Sequence, residues 1–85
     1  MPTIILTETF EVNLQKLSRG EQKQANKTLR FLADSLKHHS LQIHRIRGTS
    51  FWEAYVNEDI RVIFERDSDT LILHAIGHHD ILRNR

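Results

Sequence analysis

Between Glu21 and His38 the apolar side chains Ala25, Leu29, Leu32 and Leu36 recur at intervals of four, three and four. At about 100° per residue this spacing sets them on one stripe of an α-helix. A helix that is apolar on one side has to lie against another apolar layer, and a chain of 85 residues has surface for one core only. The remaining sequence must therefore supply that layer within a single domain, residues 1–85. Ser18-Arg19-Gly20-Glu21 has capping-box spacing, in which the serine oxygen and the glutamate each meet a free backbone N–H, so the helix begins there and runs to about His38. Ahead of it Phe10, Leu14 and Leu17 fall at i, i+4 and i+7. They predict a shorter amphipathic helix from Glu8, with Glu8 and Glu11 at its positive end and a break permitted at Gly20.

The period changes outside this hairpin. Thr3 to Thr7 is β-branched and apolar, the composition of a strand that pairs inside a sheet. After His39-Ser40 the pattern predicts strands over Leu41 to Arg47, Phe51 to Val56, Ile60 to Arg66 and Thr70 to Gly77. Turns fall at Gly48-Thr49-Ser50, Asn57-Glu58-Asp59 and Asp67-Ser68-Asp69, and the tail from Asp80 to Arg85 begins a short helix. The order β-α-α-β-β-β-β is an α+β fold, two antiparallel helices packed on a mostly antiparallel twisted sheet.

Several classes are disfavoured by what the chain lacks. Without cysteine there is no disulfide framework and no thiolate zinc site. Hydrophobic residues at 39% and charged residues at 27% are ordinary for a folded domain. Met1-Pro2-Thr3-Ile4-Ile5-Leu6 has no basic leader and too short an apolar run for a signal peptide or membrane span, so a cytoplasmic location is expected. A formal charge of +1 does not mark a nucleic-acid binder by composition, and any basic surface must come from arrangement.

The second half carries a more specific pattern. Trp52-Glu53-Ala54-Tyr55-Val56-Asn57-Glu58-Asp59-Ile60-Arg61-Val62-Ile63-Phe64, then Asp69-Thr70-Leu71-Ile72-Leu73, then Gly77-His78-His79-Asp80 resembles the C-terminal half of RelE/ParE toxins. There a strand and turn lead to an arginine on an apolar strand, and a hairpin leads to a last strand ending in Gly-x-His or Gly-x-Arg. The resemblance spans about residues 41–83. It implies the RelE-like fold and the toxin of a type II toxin–antitoxin pair, commonly a ribosome-dependent, metal-independent mRNA endonuclease held silent by a cognate antitoxin protein. The partners so implied are that antitoxin, mRNA on the ribosome and ribosomal RNA. The ParE branch shares the fold and acts on DNA gyrase instead, and a catalytically silent antitoxin-binding module is a third alternative.

Metal-free RNA cleavage needs a base for the ribose 2′-hydroxyl, an acid for the departing 5′-oxygen and cations for the phosphorane. Histidine, which exchanges protons near neutral pH, serves the first two, and arginine, whose planar fork matches phosphate oxygens, serves the third. The resemblance places His79 at the histidine ending the last strand of the histidine-using nucleases, with Asp80 beside it to orient or charge a histidine. It places Arg61 at the family arginine, as a phosphate clamp or as a cross-strand partner of Glu53 or Glu65. Glu53 and Tyr55 share a face of the preceding strand and line the site or simply face water. Asp59 matches an aspartate before the Arg61 strand. Arg45 and Arg47 alternate on one side of their strand as RNA-backbone contacts or a solvated face, with His44 on the other side. Arg83 falls near the place of a terminal tyrosine that many relatives carry. His74 and His78, four apart and so expected on one face, raise a metal site with Asp80, but no third well-placed ligand accompanies them; no metal and no cofactor is expected. Many relatives carry two lysines where this chain has Phe51, Glu53 and Tyr55, so a lysine-based scheme cannot operate here.

One basic feature is independent of the resemblance. Lys23, Lys27, Arg30 and Lys37 lie on a helical stripe almost opposite the apolar one, with Arg19 just before it, a surface suited to RNA phosphates. Charge reversal at Lys23, Lys27 and Arg30 is expected to weaken co-sedimentation with ribosomes while leaving the circular dichroism spectrum intact; unchanged co-sedimentation rules the stripe out.

Overall fold

The computed structural model describes residues 2–80. Strand β1 (Thr3–Leu6) leads into helix α1 (Glu8–Gln15) and helix α2 (Arg19–Asp34). A single 3₁₀ turn at His39–Leu41 precedes β2 (His44–Arg45), β3 (Trp52–Tyr55), β4 (Ile60–Asp67) and β5 (Thr70–His78). The five strands form one sheet in the order β1-β5-β4-β3-β2, in which β1 runs parallel to β5 and the other pairs are antiparallel. The α+β architecture expected from the sequence is thus observed.

Local chemistry sets the helix starts. The Thr7 hydroxyl accepts from the Phe10 N–H and donates to the Leu73 carbonyl at 2.8 Å, so one side chain ends β1, caps α1 and ties both to β5. At α2 the Ser18 hydroxyl accepts from the Glu21 N–H at 3.2 Å, and Glu21 accepts from the Ser18 N–H at 2.9 Å. This is the capping box read from the sequence. Gly20 falls inside the first turn of α2, and the break lies just before Arg19 instead. The helices press Phe10, Ala25 and Leu32 onto one sheet face, where they meet Ala54, Ile60, Val62, Phe64, Leu71 and Leu73, all fully or almost fully buried. Each large apolar side chain so covered contributes about 1.5–3 kcal/mol.

Three expectations are corrected. Helix α2 stops at Asp34, not near His38, because Ser35 adopts an extended backbone at φ −165° and ψ 136°. Lys37 therefore leaves the basic stripe, while Lys23, Lys27 and Arg30 remain exposed on α2. The strand expected over residues 41–47 shrinks to His44–Arg45: buried Leu41 closes the 3₁₀ turn, and Gln42 takes the left-handed conformation at φ 44°. The third correction lies in β5. Its pairing with β4 passes from Phe64 opposite Leu73 to Ile63 opposite Ala75, so β5 carries one extra residue, His74, and strand alternation reverses there. Leu71 and Leu73 before the bulge and Ile76 after it all face the helices. The Asn13 side chain accepts from the Ile76 N–H at 3.3 Å. His74 and His78 consequently point to opposite faces, which removes the basis for a shared metal site. Among the described residues no three His, Asp or Glu side chains gather as a metal site. Arg83 and most of the expected tail helix lie outside the described residues; the backbone turns helical at His79 and Asp80.

The Glu21 carboxyl lies below its ordinary value of 4.5, chiefly because the Ser18 N–H donates to it, with the Ser18 hydroxyl and nearby His78 adding to the effect. A depressed folded-state pKa contributes stability that is fully present above the unfolded value and lost as pH falls through the folded one. The difference in urea midpoint between wild type and Glu21→Gln is therefore expected to hold steady from neutral pH down to the ordinary carboxylate range and to close below it. Ser18→Ala should cost about 1 kcal/mol in the same assay.

Candidate functional site

The sheet face turned away from the helices is not covered by another layer. On it lies a cleft of about 1210 Å³, floored by Ile63 and Ala75 and edged by His44, Arg45, Arg47, Phe51, Glu53, His74, His79 and the α1 approach at Thr7 and Thr9. Strand register explains the gathering. His44 stands opposite Glu53, Glu53 opposite Ile63 and Ile63 opposite Ala75, which forms one row across four strands. The next row is Tyr55, Arg61 and Gly77, and the reversal at His74 places His79 on the same face beyond Gly77. A backbone hydrogen bond of 2.6 Å from the His79 N–H to the Asp59 carbonyl anchors the end of β5.

Of the residues singled out in the sequence, the cleft brings together His79, Glu53, Arg45 and Arg47. Arg45 is held by its Nε, which donates to the Thr49 carbonyl at 3.1 Å. Tyr55 and Arg61 adjoin the cleft in the next row, but Arg61 is not an open phosphate clamp. It is 6% exposed, with its guanidinium carbon 3.5 Å from the centre of the Tyr55 ring. Its Nη1 donates to the Asn57 carbonyl at 2.7 Å, and its Nε lies 3.8 Å from Glu53 Oε1, without a hydrogen-bond partner among the described residues. The ring opposite it in register covers the charge. Of the two sequence alternatives, the cross-strand pairing with Glu53 is the one the geometry contains.

Other candidates lie elsewhere. Asp59 faces His78 at 2.5 Å, and the other ring nitrogen of His78 lies 3.4 Å from Glu21. These contacts tie the β3–β4 turn to the start of α2 on the helix side. Asp80 is exposed at the onset of the terminal helical turn. Lys23, Lys27 and Arg30 belong to α2, which packs on the opposite face of the sheet from the cleft.

Two cleft histidines were given other places in the sequence reading, His44 on the strand side away from Arg45 and Arg47 and His74 beside His78. His44 Nε2 is 3.1 Å from Glu53 Oε1, and its Nδ1 is 3.2 Å from the Gln42 carbonyl. Pairing β2 with β3 across the Gly48 turn and counting register would have placed it beside Glu53. His74 Nε2 is 2.7 Å from Glu65 Oε1, and its ring meets Phe51 edge to face at 5.3 Å. No local signal in the sequence announces the bulge that puts it there. The cleft lining carries Glu53 as its one carboxylate against Arg45, Arg47 and three histidines, among the described residues. Such a surface favours a polyanion and offers several proton-transfer groups.

This fold is that of the RelE/ParE toxins. The chain superposes on YafQ from E. coli BL21(DE3) with a TM-score of 0.80 at 14% identity, covering 96% of this chain and 98% of that one. It matches the RelB–RelE antitoxin–toxin complex from Methanococcus jannaschii at 0.78 and 18% identity, covering 94% and 95%. For a YoeB/ParE toxin from Agrobacterium tumefaciens the values are 0.73, 11%, 91% and 98%. No protein-family model and no curated protein sequence matches the chain.

Arg61→Ala is expected to destabilise the chain by about 2–4 kcal/mol, since it removes a buried cation and leaves the Asn57 carbonyl and Glu53 without it. Arg61→Lys should recover only part of that loss, because an ammonium cannot stack flat on Tyr55. Urea denaturation measures both. A loss below about 0.5 kcal/mol for Arg61→Ala would assign the residue to an ordinary surface position.

Proposed function

We propose that this chain is the toxin of a type II toxin–antitoxin pair and that it cleaves mRNA on the ribosome without a metal. The observation carrying this reading is the meeting of His79 with the His44–Glu53 pair and Arg45 and Arg47 in one open cleft. The sequence resemblance and the fold shared with YafQ and RelE support it. That one of these neighbours is a RelE held by its antitoxin RelB supports an antitoxin partner here as well.

In this reading the arginines bind phosphate oxygens and stabilise the charge that builds on phosphorus. His79 moves one of the two protons, between ribose 2′-oxygen, solvent and the leaving 5′-oxygen, and the Glu53–His44 pair moves the other. Transfer of the 2′-proton to one group, attack of the 2′-oxygen on phosphorus and protonation of the departing 5′-oxygen by the other leave a 2′,3′-cyclic phosphate and a 5′-hydroxyl. Arg61 acts from beneath, holding Tyr55 and Glu53 in place. Asp59, Asp80 and Arg83 have no assigned step in this scheme.

The decisive experiment is induction of wild type and His79→Ala in cells, followed by growth and mRNA 5′-end mapping. Wild type should arrest growth with cleaved mRNA, and His79→Ala should lower the cleavage rate on the order of 10²-fold or more. Growth arrest with intact mRNA and altered DNA supercoiling would instead establish a gyrase-directed toxin.

A further inference from the structure

His74 lies within β5 and His79 just past its end at His78, with the Ala75 and Gly77 positions between them on the open face. Both histidines line the same cleft. Around it the bulge assembles a distinct constellation. The His74 and Phe51 rings meet edge to face with an interplanar angle of 82°, an arrangement in which neither ring has both faces covered by the other. Glu65 Oε1 receives His74 Nε2–H at 2.7 Å, and the carboxylate side chain is still 39% exposed. The hydrogen bond to His74 orients that carboxylate and leaves Oε2 and the second lone pair of Oε1 able to accept. The row containing His44, Glu53, Ile63 and Ala75 separates this end of the cleft from the Tyr55, Arg61 and Gly77 row next to His79.

We propose that Phe51, His74 and Glu65 form a nucleobase subsite that selects guanine at a nucleotide flanking the cleavage point; the proposal rests on the RNA-cleaving reading of the cleft. The aromatic pair supplies a stacking surface that any base can use. Selection comes from the carboxylate, which only accepts hydrogen bonds. Guanine presents two adjacent donors, N1–H and the N2 amine, to such a fork. Adenine turns the N1 lone pair toward it, uracil offers one N–H between two carbonyls, and cytosine offers its amine beside an acceptor nitrogen. Discrimination by a bidentate contact of this kind is roughly tenfold or more.

The test is direct binding by fluorescence anisotropy, using labelled 2′-O-methyl pentanucleotides that cannot be cleaved: UUGUU, UUAUU, UUCUU, UUUUU and the inosine analogue of the first. Wild type should bind the guanine oligonucleotide roughly tenfold tighter than the adenine one, with inosine between them because it lacks the N2 amine. Glu65→Gln should erase the guanine preference. Phe51→Ala should weaken all five by a similar factor; should that variant fail to fold by circular dichroism, Glu65→Gln carries the test. Equal binding of all five by wild type, or a preference surviving in Glu65→Gln, overturns the subsite and leaves the nuclease reading standing. Failure of wild type to bind any of them overturns the subsite, while the nuclease reading is decided separately by mRNA cleavage upon induction of wild type and His79→Ala.

Discussion

β5 carries one more residue than β4 between the pairs Phe64–Leu73 and Ile63–Ala75, and the arrangement of both sheet faces depends on that insertion. Strict alternation from Leu71 would have sent Ala75 and Gly77 toward the helices and His78 into the cleft. With His74 as the extra residue, Ile76 enters the core and His79 follows Ala75 and Gly77 onto the open face. The cost of the bulge is a ladder N–H that needs a new acceptor, and Asn13 of α1 provides one. His78, directed to the other side, is used to pull the β3–β4 turn and the start of α2 together through Asp59 and Glu21. One local irregularity thus separates a histidine that ties the β3–β4 turn to α2 from a neighbouring one that lines the cleft.

The charges follow a similar division. The resemblance offers Arg61 as a phosphate clamp, yet Tyr55 stacks on it and Asn57 and Glu53 engage it from the sides. A buried guanidinium is tolerable when an aromatic face and well-placed acceptors replace water. Its burial has a positional consequence, since it fixes Glu53, whose carboxylate also meets His44. The accessible cations are then supplied by the short edge strand β2 and the loop after it, through Arg45 and Arg47. Where the resemblance led to an expectation of two lysines this chain has Phe51, Glu53 and Tyr55, and histidines with edge arginines surround the cleft instead.

Much of the fold was legible in residue order. The spacing of Ala25, Leu29 and Leu32, the Ser18–Glu21 box and the β-rich runs after residue 50 were all recovered in the structure, because each rests on interactions between residues close in sequence. The errors share another origin. The end of α2 at Ser35, the shortening of β2 after Gln42 and the bulge at His74 arise where packing against distant segments overrides local preference. For the cleft, the resemblance led to His79 and Glu53, whereas His44 was assigned to the other side of its strand, His74 was paired with His78, and of the two Arg61 alternatives the clamp was the one the burial removed. Exposure and cross-strand partnership are properties of register, and register was not encoded in any single stretch.

By itself the sequence determined which elements exist and which stripe of each is apolar, since helix and strand periodicities are local consequences of backbone geometry. It also contained every chemically competent side chain of the cleft. Only the tertiary structure decided which of those side chains meet: a one-residue offset between β4 and β5 inverts the facing of everything beyond it, and no pattern within β5 reveals an offset that exists only relative to its neighbour.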